Sequence, residues 1–78
     1  MATNELSKKI KIHILRILDN QFMYPDEIIE NCTKEFGSQI DTPNPSLTIK
    51  NQLKILTDDK MVAYYHGYKI TAKGKSIL

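Results

Sequence analysis

The chain is poor in the residues that build disulfide frameworks, metal sites and membrane spans. Of its 78 residues, one is cysteine, two are histidine and none is tryptophan. Cys32 alone forms no intramolecular disulfide, and with His13 and His66 it supplies too few ligands for a zinc site. No apolar run approaches the roughly 20 residues of a transmembrane helix, and the N-terminus lacks the apolar core of a signal peptide. We therefore expect a reduced, cytoplasmic domain without metal, cofactor or membrane partner.

The length of 78 residues predicts a single domain over residues 1–78. Its net charge is only +2, but residues 19–41 carry six acidic residues against Lys34 alone, whereas both ends are basic. Such a pattern can give one polyanion-binding face and one acidic face. No spacing of Ser, His, Asp or Cys residues indicates a catalytic arrangement, and no small-molecule site is evident. We expect no enzyme activity.

Hydrophobic periodicity predicts three main helices. The first covers Asn4 to Asp19, with Asn4 as its N-cap. The second begins at Pro25 and has Gly37 as its C′ residue, with Cys32 in its apolar core stripe. After a loop, a third helix covers Pro45 to Asp59, capped by Asn44 or Ser46.

The C-terminal part predicts a β-hairpin and a short helix. Two strands, Met61 to Tyr65 and Tyr68 to Thr71, are joined by the two-residue turn His66-Gly67, with glycine second as a primed turn prefers. Thr71 can cap a last helix through Leu78, which returns Ile77 and Leu78 to the core. Phe22 and Met23 form a minimal strand before the second helix.

Two segments resemble the winged-helix family of DNA-binding domains. Residues 49–62, IKNQLKILTDDKMV, are similar to the end of a recognition helix running into the wing. Residues 68–78, YKITAKGKSIL, resemble the aromatic-x-Ile-Thr-x-x-Gly-x-x-x-Leu segment that closes many bacterial and archaeal regulators, including MarR and PadR types. The resemblance implies a mainly α, α+β winged helix with a three-helix core, a C-terminal hairpin wing and a short terminal helix. Lys60 stands where the family usually has glycine or asparagine, and the loop before the third helix is longer than usual.

The resemblance implies that the third helix enters the major groove of double-stranded DNA while the wing contacts the backbone. Asn51 could pair with adenine, and lysines could reach phosphate or guanine. Tyr64 and Tyr68 either cover the edge of the core or contact phosphate. His66 is interpreted as a turn residue, and His13 is interpreted as a partly buried structural histidine. Ser46, Thr48 and Gln52 could touch base edges. The candidate DNA-binding residues are Ser46, Thr48, Lys50, Asn51, Lys54, His66 and Lys69.

Ile12 and Leu15 lie outside the main apolar stripe of the first helix, which predicts an exposed strip. Two copies could pack this helix antiparallel around a two-fold axis. The predicted dimer interface comprises Lys8, Ile12, Leu15 and Leu78.

The favoured function is a small transcriptional regulator that acts by occupying DNA. The alternative is a protein-interaction module, such as an adaptor or a viral inhibitor, that does not bind DNA. A third possibility, single-stranded nucleic-acid binding, requires exposed wing tyrosines. Duplex binding requires three lysines on one face without interruption by the acids of the second helix; the lysines are Lys50, Lys54 and Lys69, and the acids are Asp26, Glu27 and Glu30.

Overall fold

The computed structural model describes residues 2–19, 21–40 and 43–78, and its side chains from residue 5 onward. The elements follow the order of a winged helix, which confirms the predicted mainly α, α+β class. They are α1 (Ala2–Ile17), α2 (Pro25–Phe36), α3 (Pro45–Asp58), β1 (Val62–Tyr64), β2 (Tyr68–Ile70) and α4 (Ala72–Lys75).

The predicted caps of α1 and α2 differ from the structure, whereas the cap of α3 is one of its two predicted alternatives. Helix α1 begins at Ala2, so Asn4 lies inside the helix and is not its N-cap. Gly37 caps α2 with φ −53° and ψ −40°, a right-handed conformation that makes no use of glycine's freedom. The N-cap of α3 is Asn44, whose side chain accepts a hydrogen bond from the backbone of Leu47 at 3.2 Å. Residues 41 and 42 of the predicted loop lie outside the described residues.

The core is mainly aliphatic, with Phe36 and Cys32 as its other members, and lies between the three long helices. Its fully or almost fully buried side chains come from all three helices, from β1 and from the segment after α2, where Ile40 had no periodic signal to predict it. Leu15 is fully buried, so the predicted exposed strip is wrong at this residue. Helix α4 covers Leu15, whose Cδ2 lies 3.2 Å from the position that a Cβ on Gly74 would occupy. The core comprises Ile10, Ile14, Leu15, Leu18, Ile28, Cys32, Phe36, Ile40, Ile49, Leu53, Leu56 and Val62.

The wing is an antiparallel pair in which Tyr64 faces Tyr68. Three residues, not two, connect the strands, because the pairing ends at Tyr64 and resumes at Tyr68. Within this loop His66 and Gly67 have φ of 57° and 137°. On the other side of β2, Met23 forms the predicted minimal strand, with a bridge to Tyr68 through N···O distances of 3.0 and 2.7 Å.

The junctions at both ends of the wing are fixed by side-chain bonds and turn geometry. Lys60 has φ 66°, so it occupies the left-handed position that a glycine or asparagine would favour. The Thr71 hydroxyl accepts from the backbone of Gly74 at 3.2 Å and caps α4, as predicted. Helix α4 ends at Lys75, and Ile77 and Leu78 are exposed, which corrects the prediction that they return to the core.

Candidate nucleic-acid interface

Helix α3 presents three predicted DNA-binding residues to solvent. Lys50, Asn51 and Lys54 are exposed, because the buried side chains of α3 lie on the opposite face of the helix. Ser46 and Thr48 are half-buried in its first turns. The arrangement therefore gives two cations and one amide that a ligand can reach without unfolding.

Gln52 does not belong to this face. Its side chain is buried, and its amide nitrogen donates to the Ser7 hydroxyl of α1 at 3.3 Å. The prediction that it could touch base edges is therefore wrong. The sequence holds a signal for this, because Gln52 follows the core residue Ile49 by three positions and precedes Leu56 by four.

A groove of about 300 Å³ lies between α2, α3 and β2. Lys50 and Lys54 line it beside Asp58, and Tyr68 of the wing forms part of its wall. The acidic residues of α2, whose absence from the lysine face is a condition for duplex binding, do not line the groove, because that helix contributes Pro25 and Ile29 to it. The acids Asp26, Glu27 and Glu30 are exposed elsewhere on α2.

The third predicted lysine, Lys69, is not in this groove. It directly follows Tyr68 in β2 and is exposed. Because successive side chains of a strand point to opposite faces, Lys69 lies on the face opposite to Tyr68. The structure thus brings Lys50 and Lys54 together and places Lys69 on the outer face of the wing, so only two of the three lysines meet the condition of lying on one face.

The lysines differ in their ion pairing. Lys54 Nζ lies 3.9 Å from Asp58 Oδ2, with both side chains largely exposed. Among the described residues, Lys50 and Lys69 have no carboxylate within 4.0 Å. A polyanion would therefore compete with an intramolecular carboxylate only at Lys54.

Two exposed aliphatic residues on α3 were not predicted. Leu47 and Ile55 are 53% and 38% exposed, and Asn51 lies midway between them in the sequence. Positions four and eight residues apart share one side of a helix, so these three side chains form a stripe. An apolar contact there can meet a thymine methyl group or an apolar protein surface.

Exposed aromatic rings cluster around the wing. Phe22, Tyr24, Tyr64 and Tyr65, here named the aromatic patch, are each more than half exposed. Tyr64 therefore does not cover the core, which decides one of the open alternatives; Tyr68 is half-buried. The rings of Tyr64 and Tyr68 meet edge to face with centroids 5.0 Å apart.

Both histidines have the surroundings expected of residues with a structural role. His66 is exposed in the left-handed turn of the wing, as interpreted from the sequence. His13 is half-buried; its Nε2 lies 2.7 Å from Asn31 Oδ1, and its ring meets Phe36 edge to face.

Burial, and secondarily the Glu35 carboxylate, raise the pKa of the Cys32 thiol to about 11. This thiol therefore stays protonated at neutral pH and is a poor nucleophile.

The outer side of α1 retains part of the predicted dimer surface. Lys8 is exposed, Ile12 is half-buried and Leu78 is exposed, but Leu15 is not available. Ile12 borders two grooves, one of about 390 Å³ shared with the end of α2 and one of about 220 Å³ shared with Met61 and Ile77.

No family model, no curated protein sequence and no solved structure matches this chain. The winged-helix fold is therefore inferred from the order and packing of the elements. None of the described helices has the length and hydropathy that crossing a bilayer requires. In the same part of the chain, no group of three or more His, Cys, Asp or Glu side chains is placed to hold a metal ion.

Proposed function

We propose that this protein binds double-stranded DNA, with α3 in the major groove and the wing on the phosphate backbone, and acts as a small cytoplasmic transcriptional regulator by occupancy. The observation that supports this most is the exposed row Lys50, Asn51 and Lys54, whose two lysines line a groove together with Tyr68. A major groove accepts a helix and is read by hydrogen-bonding side chains on its outward face.

The residues divide into positioning and reading roles. Lys50, Lys54 and, from the outer face of the wing, Lys69 would neutralise phosphates and set the register. Asn51 is the base-reading residue, because its amide can bond bidentately to adenine. Ser46, Thr48 and His66 would make secondary contacts at the ends of the interface.

The test is a fluorescence-anisotropy titration with a random-sequence duplex at about 50 and 200 mM salt. Lys50→Ala and Lys69→Ala should each weaken binding to all sequences and reduce the log–log salt slope by about one. Asn51→Ala should instead relax base preference and cost about 1–3 kcal/mol at one position. Lys75→Ala, which removes an exposed cation from α4, is the matched control. Absence of duplex binding even at about 50 mM salt would contradict the proposal.

A second candidate function is protein recognition by the same helix. It is favoured by Leu47 and Ile55, because exposed aliphatic residues in one stripe are more typical of a protein interface than isolated ones. Replacing both with serine would abolish binding of a protein partner but would leave the affinity for DNA unchanged. Weaker DNA binding by this variant, with an unchanged salt slope, would assign the stripe to an apolar contact with DNA.

The proposed partner on α1 is a second copy of this chain, and the charges of the groove favour one geometry. An antiparallel α1–α1 contact centred on Ile12 would place Lys8 opposite Arg16 of the other copy, cation against cation. If the two-fold axis instead runs parallel to the groove between α1 and α2, α1 of one copy packs against α2 of the other copy. Glu35 would then face the cations that α1 contributes to this groove, Arg16 among them, and within one chain neither Arg16 nor Glu35 has an ion-pair partner among the described residues.

A charge swap tests this dimer. Sedimentation at about 100 µM should give a weight-average mass of at least about one and a half times the 9.0 kDa chain mass, because even −6 kcal/mol, a Kd near 40 µM, makes most chains dimeric at this concentration. Arg16→Glu and Glu35→Lys should each give monomers, and a mixture of the two variants should regain dimer. Lys75→Glu is the control. A wild-type chain that stays monomeric would contradict the proposal.

A further inference from the structure

The distribution of aromatic residues sets the wing apart from the rest of the molecule. The chain has four tyrosines and two phenylalanines. All but Phe36 lie in the wing or in the segment that pairs with it, and the aromatic patch keeps four of them more than half exposed. A small domain gains stability by burying such rings, so their exposure together indicates a binding surface.

The chemistry of the patch favours flat, aromatic ligands. Among the residues whose side chains the structure describes, the exposed large apolar ones outside the wing region are aliphatic, namely Leu47, Ile55, Ile77 and Leu78, whereas those at the wing are aromatic. Every nucleobase has a π-face that stacks on such rings irrespective of sequence. Three of the four patch residues are tyrosines, whose hydroxyls can also bond to phosphate.

Both faces of the wing contribute to the patch. Tyr64 and Tyr68 pair across the strands and share one face. Because Met23 pairs with Tyr68, its neighbour Phe22 points to the other face, which also holds Lys69. Phe22 lies over Gly67, where its ring would stand 2.7 Å from an added Cβ. Tyr65, the most exposed ring at 77%, occupies the loop between the two faces.

The patch is continuous with the groove of α3. Tyr68 lines that groove with Lys50 and Lys54, and its ring contacts Tyr64. A nucleic-acid strand that leaves the groove would thus pass from Tyr64 to Tyr65 at the tip of the wing and reach Lys69 on its outer face. Asp26 and Glu27 are exposed in the first turn of α2, directly after Tyr24, and disfavour a polyanion there. The nucleic-acid strand is therefore assigned to the tip of the wing and not to Tyr24.

We propose that the preferred ligand is a junction between duplex and single-stranded DNA, with unpaired bases stacking on Tyr64 and Tyr65 while α3 holds the adjoining duplex. This inference rests on the proposed function, because it uses the same groove for the paired segment. Lys69, which contacts the duplex backbone in the proposed function, would here neutralise a phosphate at the point where the unpaired strand leaves the duplex.

The experiment compares a blunt duplex with the same duplex carrying a six-thymine tail, in either polarity, that contains one 2-aminopurine. The tail should tighten binding about tenfold, the factor expected for one well-stacked base, and 2-aminopurine fluorescence should change on binding. Tyr65→Ala should remove the gain and leave blunt-duplex binding unchanged, whereas Tyr65→Phe should keep it. Tyr24→Ala is the matched control and should also keep it.

The outcomes separate this inference from the proposed function. Blunt-duplex binding with no gain from either tail overturns the inference alone. Failure to bind either blunt or tailed duplex overturns the proposed function as well. Equal binding of the tail strand alone and of the tailed duplex overturns the junction and indicates plain single-strand binding. A ribonucleotide tail that binds more tightly than the deoxyribonucleotide tail overturns the assignment to DNA.

Discussion

The helical core and the wing follow opposite rules for their apolar residues. In the core, aliphatic side chains from three helices are buried almost completely. In the wing, three-residue strands keep aromatic rings in solvent and require positive φ at His66 and Gly67. Burial of apolar area stabilises the fold, so the core provides the stability and the wing is free to present side chains for binding.

This separation means that substitutions in the two regions should affect different measurements. A core change should lower the free energy of unfolding and affect binding only through unfolding. A change in the aromatic patch should affect binding with little effect on stability.

Leu15→Ala should lower the free energy of unfolding by about 2–5 kcal/mol, the range for a buried leucine. Leu15 is fully buried beneath α4, and a domain of this size usually has only about 3–5 kcal/mol in total. Urea denaturation followed by circular dichroism should therefore show a variant near the edge of folding. The control is Tyr65→Ala, which should unfold at almost the wild-type urea concentration. A Leu15→Ala variant as stable as wild type would restore the predicted exposed strip.

Gly67→Ala should destabilise the wing by about 1–3 kcal/mol, because φ of 137° is a region that side chains rarely adopt. The new methyl group would also displace the Phe22 ring. Hydrogen exchange should become faster at the paired amides of Met23 and Tyr68, while the amides of α1 keep their protection. His66→Gly, one position earlier, is the matched comparison and should cause no such loss. Faster exchange throughout the helices would contradict the independence of the two regions.

Local patterns were sufficient to predict the helices and the order of the elements. The spacing that put Ile49, Leu53 and Leu56 inward is a property of a few neighbouring turns, and the structure buries all three. The Pro25 start of α2 and the Thr71 cap depend on residues next to them and were predicted for the same reason. Exposure of Lys50, Asn51 and Lys54 then follows from the helix period alone.

Features that depend on distant contacts could not be predicted in this way. Leu15 lies at the edge of the helical stripe, and its burial depends on Gly74, which is almost sixty positions away. The exposure of Tyr64 depends on how far the core extends under a short hairpin. Alternation along β2 would have placed Lys69 opposite Tyr68, but which face borders α3 required the packed structure.

Alkaline pH should destabilise the core through Cys32. Its pKa rises from 9.0 to about 11 in the folded protein because of burial and the Glu35 carboxylate. Between these values the unfolded chain releases the thiol proton while the folded chain retains it, so stability is full below about pH 9 and falls as pH rises toward 11. Urea titrations at several pH values should show this fall, and Cys32→Ala should show a shallower one. Parallel curves for the two proteins would mean that the thiol does not contribute.

The smallest expected effect on stability is that of Asp58→Asn, which separates stability from binding within α3. The Lys54–Asp58 pair is exposed and its atoms are 3.9 Å apart, so its loss should cost no more than about 0.5 kcal/mol. The change also removes a negative charge from the groove that Lys50 and Lys54 line, and it frees Lys54 for phosphate. Duplex DNA should therefore bind more tightly, with a salt slope steeper by up to about one.

Glu30→Gln is the matched control, because it removes a similar exposed i,i+4 pair, with Lys34, on α2 and outside the groove. It should change stability by a similar amount and leave the salt slope unchanged. If both variants alter DNA binding equally, the effect comes from net charge and not from the groove.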